Sequence, residues 1–271
     1  MARKVDHKAR AHAELPPSSS DKWMNCFGWR TTVNQHYDAY GRPPSSAAAE
    51  EGTAAHEKFE RHLLGSDAVP EALPGMTGPD IDAWLDYRRE THKALSEDDD
   101  EFDHLQECIE WIEKQPGSLL PETRLDFGEH LGYVGLTGTV DVTLVTEDTL
   151  TIADLKYGKV IVEVMARLGR PNTQLMCYLV GAINRFGPRD RYRIVILQPR
   201  AWHKDGPIRE HWVTKAELLV FMSDLQDAIE ASYAGAACTP GPWCRHYCDA
   251  LASCRAVVLA ARQRLRDNPE D

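Results

Sequence analysis

The sequence predicts an α/β fold with a single core, and two patterns support this. Three successive segments, 122–128, 132–145 and 149–158, alternate apolar and polar residues and are joined by short turns, as in an antiparallel meander. Segment 172–187 then has apolar residues at helical spacing, and the apolar run 191–199 is typical of a buried strand. With 42% hydrophobic residues, a chain of 271 residues can bury such a core.

Helical patterns surround this predicted core. Segment 47–65 precedes the strands with apolar residues at helical spacing, and Gly65 ends it. We predict a flexible arm over residues 1–20, followed by one domain over residues 21–271. The appended parts of that domain are a helical insertion over 66–118 with helices at 81–95 and 102–114, a helix at 215–233, and a cysteine-rich tail over 235–271.

The charge is unevenly distributed along the chain. There are 42 acidic and 31 basic residues, and the resulting net charge of −11 argues against non-specific binding to nucleic acids. Segment 154–215, however, has 12 Lys and Arg against five Asp and Glu, a local balance of +7. An acidic protein with one basic stretch can contact a polyanion on a single face. An uneven surface charge without such a role is equally common.

No segment indicates a membrane or secreted protein. The longest apolar run, 256–261, is far too short to cross a bilayer. The basic and polar N-terminal residues are not followed by an apolar stretch, so they do not have the form of a secretory signal. We therefore expect a cytoplasmic protein without a membrane partner.

Charged residues interrupt two otherwise apolar strands. On the segment 149–158, Asp154 and Lys156 follow two apolar residues on one face, and Asp141 stands among valines on the preceding strand. Charges at such positions are costly unless they are paired or bind a metal. A structural salt bridge is one explanation. Because the hairpin also brings two carboxylates together beside a lysine, a Mg²⁺ or Mn²⁺ site for phosphodiester hydrolysis is the other.

Three motifs resemble those of one nuclease family. They are G-T-V-D followed by A-D-L-K-Y-G-K on the predicted hairpin, N-x-Q-L-x-x-Y-x-x-G on the following helix, and GTAAHE at 52–57. Together they resemble the RecB-like branch of the PD-(D/E)XK nuclease superfamily. The resemblance implies a restriction-endonuclease-like core of helix, three-strand meander, helix and strand, which is the order predicted above.

The resemblance also implies roles for individual residues. The implied metal ligands are His56, Asp141, Asp154 and the backbone carbonyl of Leu155. The implied catalytic residues are Asp141, Asp154, Lys156, Gln174 and Tyr178. Among these, Lys156 would assist the attacking water, while Gln174 and Tyr178 would help to position the DNA strand. Glu122, one strand earlier, is a weaker candidate.

Four of the seven cysteines cluster near the C-terminal end. An odd number of cysteines without a secretory signal argues against a disulfide framework and favours metal ligation. With a fourth ligand from Cys26, a zinc ion or an iron–sulfur cluster could be held by Cys244, Cys248 and Cys254. The remaining Cys108 and Cys177 fall in helical patterns and are typical of core residues.

One early and three late cysteines around a RecB-like core resemble the iron–sulfur nucleases that include AddB and the CRISPR-associated adaptation exonucleases. In that group a [4Fe–4S] cluster joins the two chain ends, which here implies a cysteine–metal connection between the N- and C-terminal segments. This chain departs from the family pattern, because three residues rather than two separate Cys244 from Cys248. The departure leaves room for Cys238 as the first ligand, or for zinc with His246 as a ligand.

Basic and aromatic residues near the predicted core could contact DNA. Lys159 and Arg185 are the predicted DNA-binding residues, in a groove that would also include Arg167, Arg170, Arg189, Arg191 and Arg193. Three tryptophans that could stack on unpaired bases are Trp202, Trp212 and Trp243. Tryptophan more often serves for packing, so they are not part of the predicted site.

These motifs together predict a metal-dependent DNA exonuclease. The expected cofactors are Mg²⁺ or Mn²⁺ and a [4Fe–4S] cluster, and the expected substrate is single- or double-stranded DNA. The resemblance extends to phage-encoded proteins, which implies recombination or DNA processing beside phage recombination proteins in a bacterial host. The alternative is a non-catalytic DNA-binding or assembly protein that retains the nuclease fold. Lys156 and the acids favour the enzyme, because a binding protein has no need of a costly carboxylate cluster.

Overall fold

The computed structural model describes residues 14–65, 104–166, 169–244 and 248–267. The predicted helix at 81–95 lies outside the described residues, as do Arg167 and His246. The strands in the described parts are β1 (Ser118–Asp126), β2 (Thr137–Val145), β3 (Thr149–Leu155), β4 (Met165–Ala166), β5 (Arg170–Pro171), β6 (Arg191–Leu197) and β7 (Ile208–Val213).

Five of these strands form one mixed sheet in the order β1-β2-β3-β6-β7. The first three are antiparallel neighbours, β6 is parallel to β3, and β7 is antiparallel to β6. The strands β4 and β5 pair separately as a two-residue ribbon. The α/β class predicted from the sequence is confirmed.

Helices cover both faces of the sheet. In the described parts they are α1 (Ser20–Trp23), α2 (Trp29–Tyr40), α3 (Ala47–Gly65), α4 (Gln106–Glu113), α5 (Thr173–Phe186), α6 (Lys215–Tyr233) and α7 (Arg255–Asp267). Buried residues of α5 and α6 pack on one face of the sheet, and those of α3 and α4 pack on the other. Because β3 and β6 are covered on both faces, most of their residues are buried, including the polar Thr151 and Asp154 of β3. None of the helices in the described ranges is long and apolar enough to cross a membrane.

The helix α5 connects β3 to its parallel neighbour β6, a pairing that requires a crossover. The side chain of Asn172 caps this helix by accepting hydrogen bonds from the backbone N–H groups of Gln174 and Leu175. Buried Leu175 and Leu179 hold the helix on the sheet. The first turn of α5 therefore lies over the carboxyl end of β3, where Lys156 follows.

The described end of the predicted N-terminal arm belongs to the core. Leu15 is fully buried and Pro17 is buried. Gly138 on β2 accommodates this segment, because a Cβ there would lie 2.6 Å from the Pro17 ring. Residues 14–20 are thus packed against the sheet rather than extended into solvent.

Several element boundaries differ from those that the sequence pattern predicts. β1 begins at Ser118, at the end of the predicted insertion. β2 begins at Thr137 rather than at 132, because residues 132–136 continue the irregular turn that follows the 3-10 helix Glu129–Leu131. The sequence pattern does not predict β7, because residues 209–211 are all polar although Arg209 is buried. Helix α6, by contrast, has the bounds predicted for it.

Candidate active site

Three acidic residues lie side by side on the first three strands. The ladder between β2 and β3 ends at the pair Val142–Ala153, and Asp141 and Asp154 are the next residues on the two strands. The ladder between β1 and β2 leaves out Glu122, which by the same register lies beside Asp141. Among the described residues, Glu122 is the only non-glycine with a positive φ, at 45°. Such a backbone costs about 1 kcal/mol or more and is typical of functional sites.

The carboxylate of Asp141 accepts a backbone hydrogen bond at the point where the ladder between β2 and β3 ends. Its Oδ2 accepts a hydrogen bond of 2.6 Å from the backbone N–H of Leu155, and its Oδ1 lies 2.8 Å from Nδ1 of His56. His56 comes from α3, which is held on the sheet by the buried side chains of Ala55 and Phe59. The helix and the hairpin therefore meet at one hydrogen-bonded cluster.

Lys156 joins the second acid to helix α5. Its Nζ is 2.7 Å from Oδ2 of Asp154 and donates a hydrogen bond of 2.8 Å to Oε1 of Gln174. The amide of Gln174 in turn donates to Oδ1 of Asp154 and to the hydroxyl of Tyr178, each over 3.3 Å. Because Tyr178 lies four residues after Gln174, both residues share one face of the helix. That face holds the lysine in place.

The charges in this cluster alter one another's pKa values. Burial disfavours charged His56, but the charge and the hydrogen bond of Asp141 outweigh it and raise the pKa of the imidazole to about 9. Burial also opposes the charge of Asp141, yet His56 and the hydrogen bond from Leu155 lower the pKa of this carboxyl. At Asp154 burial prevails over the nearby Lys156 and raises the pKa. The ionisation of each group therefore depends on its neighbours.

The cluster fits a divalent cation. One ligand atom each from His56, Glu122 and Asp141 lies within 4.8 Å of the other two. Ligands on opposite sides of Mg²⁺ are about 4.2 Å apart, so this spacing requires little adjustment. Oδ2 of Asp154 is buried and lies 2.7 Å from Nζ of Lys156. A carboxylate oxygen can accept from more than one partner, so this atom has capacity left for a metal.

Most of the site residues named from the sequence meet in this cluster. They are His56, Asp141, Asp154, Lys156, Gln174 and Tyr178, with the backbone of Leu155. Glu122, only a weaker candidate in the sequence, belongs to the same group of ligand atoms. The signal that could have found it is the strand register, which requires the true start of β2.

Five cysteines line a second pocket, away from the carboxylates. They are Cys26, Cys238, Cys244, Cys248 and Cys254. The empty space of this pocket, including the part open to solvent, is about 300 Å³. No three thiol sulfurs in the described part of the chain lie within 4.8 Å of one another. The Sγ of Cys238 is 3.0 Å from the hydroxyl of Thr32, and burial raises the pKa of that thiol to about 12.

The sequence matches one family model over most of its length. That family, described as "Protein of unknown function (DUF2800)", matches residues 12–268. This chain belongs to the DUF2800 family. Among solved structures, the DUF2800 chain is similar to a protein from Eubacterium rectale that is named as a candidate exonuclease. The two share 13% sequence identity with a TM-score of 0.43, over 91% of this chain and 94% of that chain, and at this level the likeness assigns neither fold nor activity.

The basic residues of this DUF2800 protein lie at opposite ends of the sheet. Lys159 is exposed on the loop that follows β3, close to the carboxylate cluster. Arg185 is near the end of α5, about 16 Å along the helix axis from Gln174, and donates to the carbonyl of Arg124. Arg191, at the start of β6, stacks on a tryptophan. The groove predicted from these arginines therefore does not run through the carboxylate cluster.

Proposed function

We propose that this protein is a metal-dependent DNA exonuclease. The observation that carries the proposal is the set of side chains gathered at the end of β3, namely His56, Glu122, Asp141, Asp154 and Lys156. Acids alone would repel a phosphate, but a cation held among them reverses the sign of the local charge. A place in phage recombination or DNA processing is part of the proposal and is supported by the resemblance of the motifs.

His56 and the three acids would hold the catalytic ion, Mg²⁺ or Mn²⁺, and the carbonyl of Leu155 is the further ligand expected from the resemblance. When bound, the ion supplies Lewis-acid stabilisation of the charge that develops on the phosphate and lowers the pKa of a water molecule. The side chains come from α3 and three paired strands. Backbone pairing therefore sets their spacing before any ion binds.

We propose that Lys156 assists the water that attacks the phosphate. Its ammonium group is held by Asp154 and Gln174, but the lysine side chain remains 23% exposed and is open to a phosphate and a water. Held in this way, it stabilises negative charge on the attacking oxygen with little reorganisation. The hydrogen bonds of Gln174 and Tyr178 are directed at the lysine and its acid. We therefore propose that these two residues position Lys156, in place of the DNA contact expected from the sequence.

A salt bridge serving stability alone explains the arrangement less well. Such a pair requires one acid for one cation, and a buried pair contributes little net stability. Here the strand register places three acids side by side around one lysine, and Glu122 has a strained backbone. Features that cost stability in this way favour a functional role.

We further propose that Cys26, Cys244, Cys248 and Cys254 hold a [4Fe–4S] cluster. Their convergence on one pocket from distant parts of the chain supports metal ligation. The resemblance to the iron–sulfur nucleases favours this cluster over zinc, which is the alternative for the same thiols. An absorption band near 400 nm in anaerobically purified protein, together with iron and zinc analysis, tests this choice.

The nuclease is tested with DNA labelled at either end and incubated with Mn²⁺. We expect the wild-type protein to shorten the DNA and EDTA to stop it. Lys156→Ala should lower the rate by about 100-fold or more, because a positive charge at the reacting phosphate is lost. Lys114→Ala is the matched control, since this exposed lysine on the far side of α4 pairs only with Glu110 among the contacts described.

Three outcomes distinguish the readings of this experiment. Loss of cleavage in Lys156→Ala with an unchanged melting temperature supports the enzyme. Equal cleavage by both proteins would indicate a contaminating nuclease and contradict the assignment. If wild type and variant were both inert but bound DNA, the non-catalytic DNA-binding alternative would replace the enzyme.

A further inference from the structure

Two loops extend the candidate active site at the carboxyl ends of the parallel strands. The loop 156–164 follows β3, and the loop 198–207 connects β6 to β7. The backbone N–H of Lys156 donates a hydrogen bond of 2.7 Å to the carbonyl of Leu197. Both loops therefore start beside the candidate catalytic lysine, at the end of parallel strands where ligands commonly bind.

Buried side chains fix the two loops to each other. Gln198 donates to the carbonyls of Gly158 and Val160 and accepts a hydrogen bond from the N–H of Val162. Arg209 on β7 donates to the carbonyl of Val162 and to the side-chain oxygen of Gln198. These bonds satisfy the backbone of the first loop and give it a defined position against the second.

The tip of the second loop holds a tryptophan in solvent. Trp202 is 85% exposed, although Ala201 before it is buried and the side chain of His203 after it is only 8% exposed. On the first loop, Val160 and Ile161 are 67% and 45% exposed. Because both neighbours of Trp202 are anchored, the indole is held outward, and leaving a large apolar ring in water costs free energy.

Arg200 connects this loop to the elements of the candidate site. Its guanidinium lies 4.5 Å from the ring centroid of Tyr157, the residue after Lys156. Its Nη1 is 2.6 Å from Oε1 of Glu51 on α3, the helix that carries His56. The loop that bears the exposed tryptophan is thus fastened to both sides of the carboxylate cluster.

We propose that Trp202 is a stacking platform for an unpaired base of the DNA strand whose phosphate enters the site. The protein then selects single-stranded DNA or frayed ends, an inference that rests on the proposed nuclease function. Trp202 is five residues after Leu197, whose carbonyl contacts Lys156. The two positions are therefore at most about 18 Å apart, the length of roughly five stacked nucleotides.

The chemistry of this surface favours a single strand. Every base has a π-face, so stacking on tryptophan tolerates any sequence, whereas duplex DNA keeps those faces covered. Lys159 and Lys204 are exposed on the two loops and carry the charge that phosphates require. The nearby acids are Glu163, which lies 3.4 Å from His203, and Asp205, which lies 3.8 Å from His203 and 3.5 Å from the exposed Lys204.

The test is DNA binding with Ca²⁺ in place of Mn²⁺, because carboxylate oxygens also bind Ca²⁺ and the charge of the acids stays offset. A fluorescently labelled oligothymidylate should bind Trp202→Ala about 5- to 150-fold more weakly than wild type, the loss typical of one stacked base. Trp202→Phe should retain most of the affinity. Blunt duplex DNA should bind all three proteins alike. Tyr40→Ala is the matched control, because Tyr40 is an equally exposed aromatic at the end of α2.

A second readout is intrinsic fluorescence. Oligothymidylate should quench part of the tryptophan emission of the wild type, and Trp202→Phe should lose that part. If Trp202→Ala binds the oligonucleotide as tightly as wild type, the proposed stacking platform is wrong. The proposed nuclease function would still stand if Lys156→Ala loses cleavage and Trp202→Ala does not. If the wild type neither binds nor cleaves DNA, both proposals fail together.

Discussion

The carboxylate cluster and the cysteine pocket are built in different ways. The ligand atoms of His56, Glu122 and Asp141 already lie within 4.8 Å of one another, because paired strands and a packed helix set their positions. The cysteine pocket instead draws on the turn after α1, a 3-10 turn at Pro242–Cys244 and the irregular segment before α7. No three of its thiol sulfurs, in the part of the chain that the structure describes, lie within 4.8 Å of one another.

This difference indicates which site depends on its cofactor. Sheet pairing supplies the free energy that holds the acids together, so their arrangement should survive removal of the ion. The cysteine segments have few backbone ladders to hold them, so a metal would contribute to their folding. Variants of the first site should therefore affect chemistry, and variants of the second should affect stability.

The largest effect is expected from Asp154→Asn. The substitution keeps the volume of the side chain but removes the charge beside Lys156, so cleavage should fall about 100- to 1,000-fold. The melting temperature should stay close to that of the wild type, because the sheet is unchanged. Cleavage assays with Mn²⁺ and thermal denaturation measure the two quantities. A large drop in melting temperature would show that the acid is structural.

Cys244→Ser should produce the opposite pattern. We expect loss of bound metal and a decrease of about 3 kcal/mol in the free energy of unfolding, because the segments around the pocket lose their common ligand. Metal analysis and urea denaturation test this. Cys108→Ala is the control, since this buried cysteine belongs to the core under α4. Equal metal content in both variants would contradict the assignment of the pocket.

Glu122→Gly should separate stability from metal binding within the carboxylate cluster. Glycine relieves the positive φ, so the free energy of unfolding should rise by about 1 kcal/mol. The affinity for Mn²⁺ should fall about 10-fold with the loss of a ligand. Calorimetric titration and urea denaturation are the measurements. Glu129→Gly, at a neighbouring acid without a positive φ, should lower stability and leave the affinity unchanged.

The smallest effect is expected at the start of α6, remote from both sites. Thr214 and Glu217 form a capping box, and Thr214→Ala should cost about 1 kcal/mol without changing cleavage or metal content. Burial opposes the charge of Glu217, but hydrogen bonds from Thr214 and His211 lower its pKa. The stability that ionised Glu217 contributes is therefore fully present above the pKa of an unfolded glutamate. It is lost as the pH falls through the lower pKa that Glu217 has in the folded protein. The difference between wild type and variant should shrink in acid.

The secondary structure could be predicted from the sequence where apolar periodicity and motif spacing indicate the same element. The meander, the helix with Gln174 and the strand after it were predictable because burial on a sheet imposes regular spacing. β7 was not, because Arg209 is buried through hydrogen bonds to loop carbonyls, and these depend on tertiary contacts. The start of β2 was misplaced because residues 132–136 have the alternating pattern of a strand but belong to the turn that follows the 3-10 helix Glu129–Leu131.

The candidate site was predictable for the same reason, with one gap. Asp141, Asp154 and Lys156 are polar residues in apolar strands, which single-sequence reasoning can detect. Glu122 lies in a strand that is half polar, so its charge carries no such signal, and only the register with β2 reveals its neighbours. The arginines at 185–193 are close together in sequence but lie at the other end of the sheet from the carboxylate cluster, and their contact with DNA stays a prediction.

Helix α2 and the segment before α7 have a consequence for how the polypeptide matures. Tyr37 bonds to Asp249, His36 to Ser253 and Thr32 to Cys238, so one of the earliest helices is completed by residues more than 200 positions later. During synthesis on the ribosome, the central sheet can assemble while α2 still lacks these contacts. A message truncated after α6 would yield a sheet with its covering helices but an α2 without these partners, which is the kind of product that cellular proteases remove.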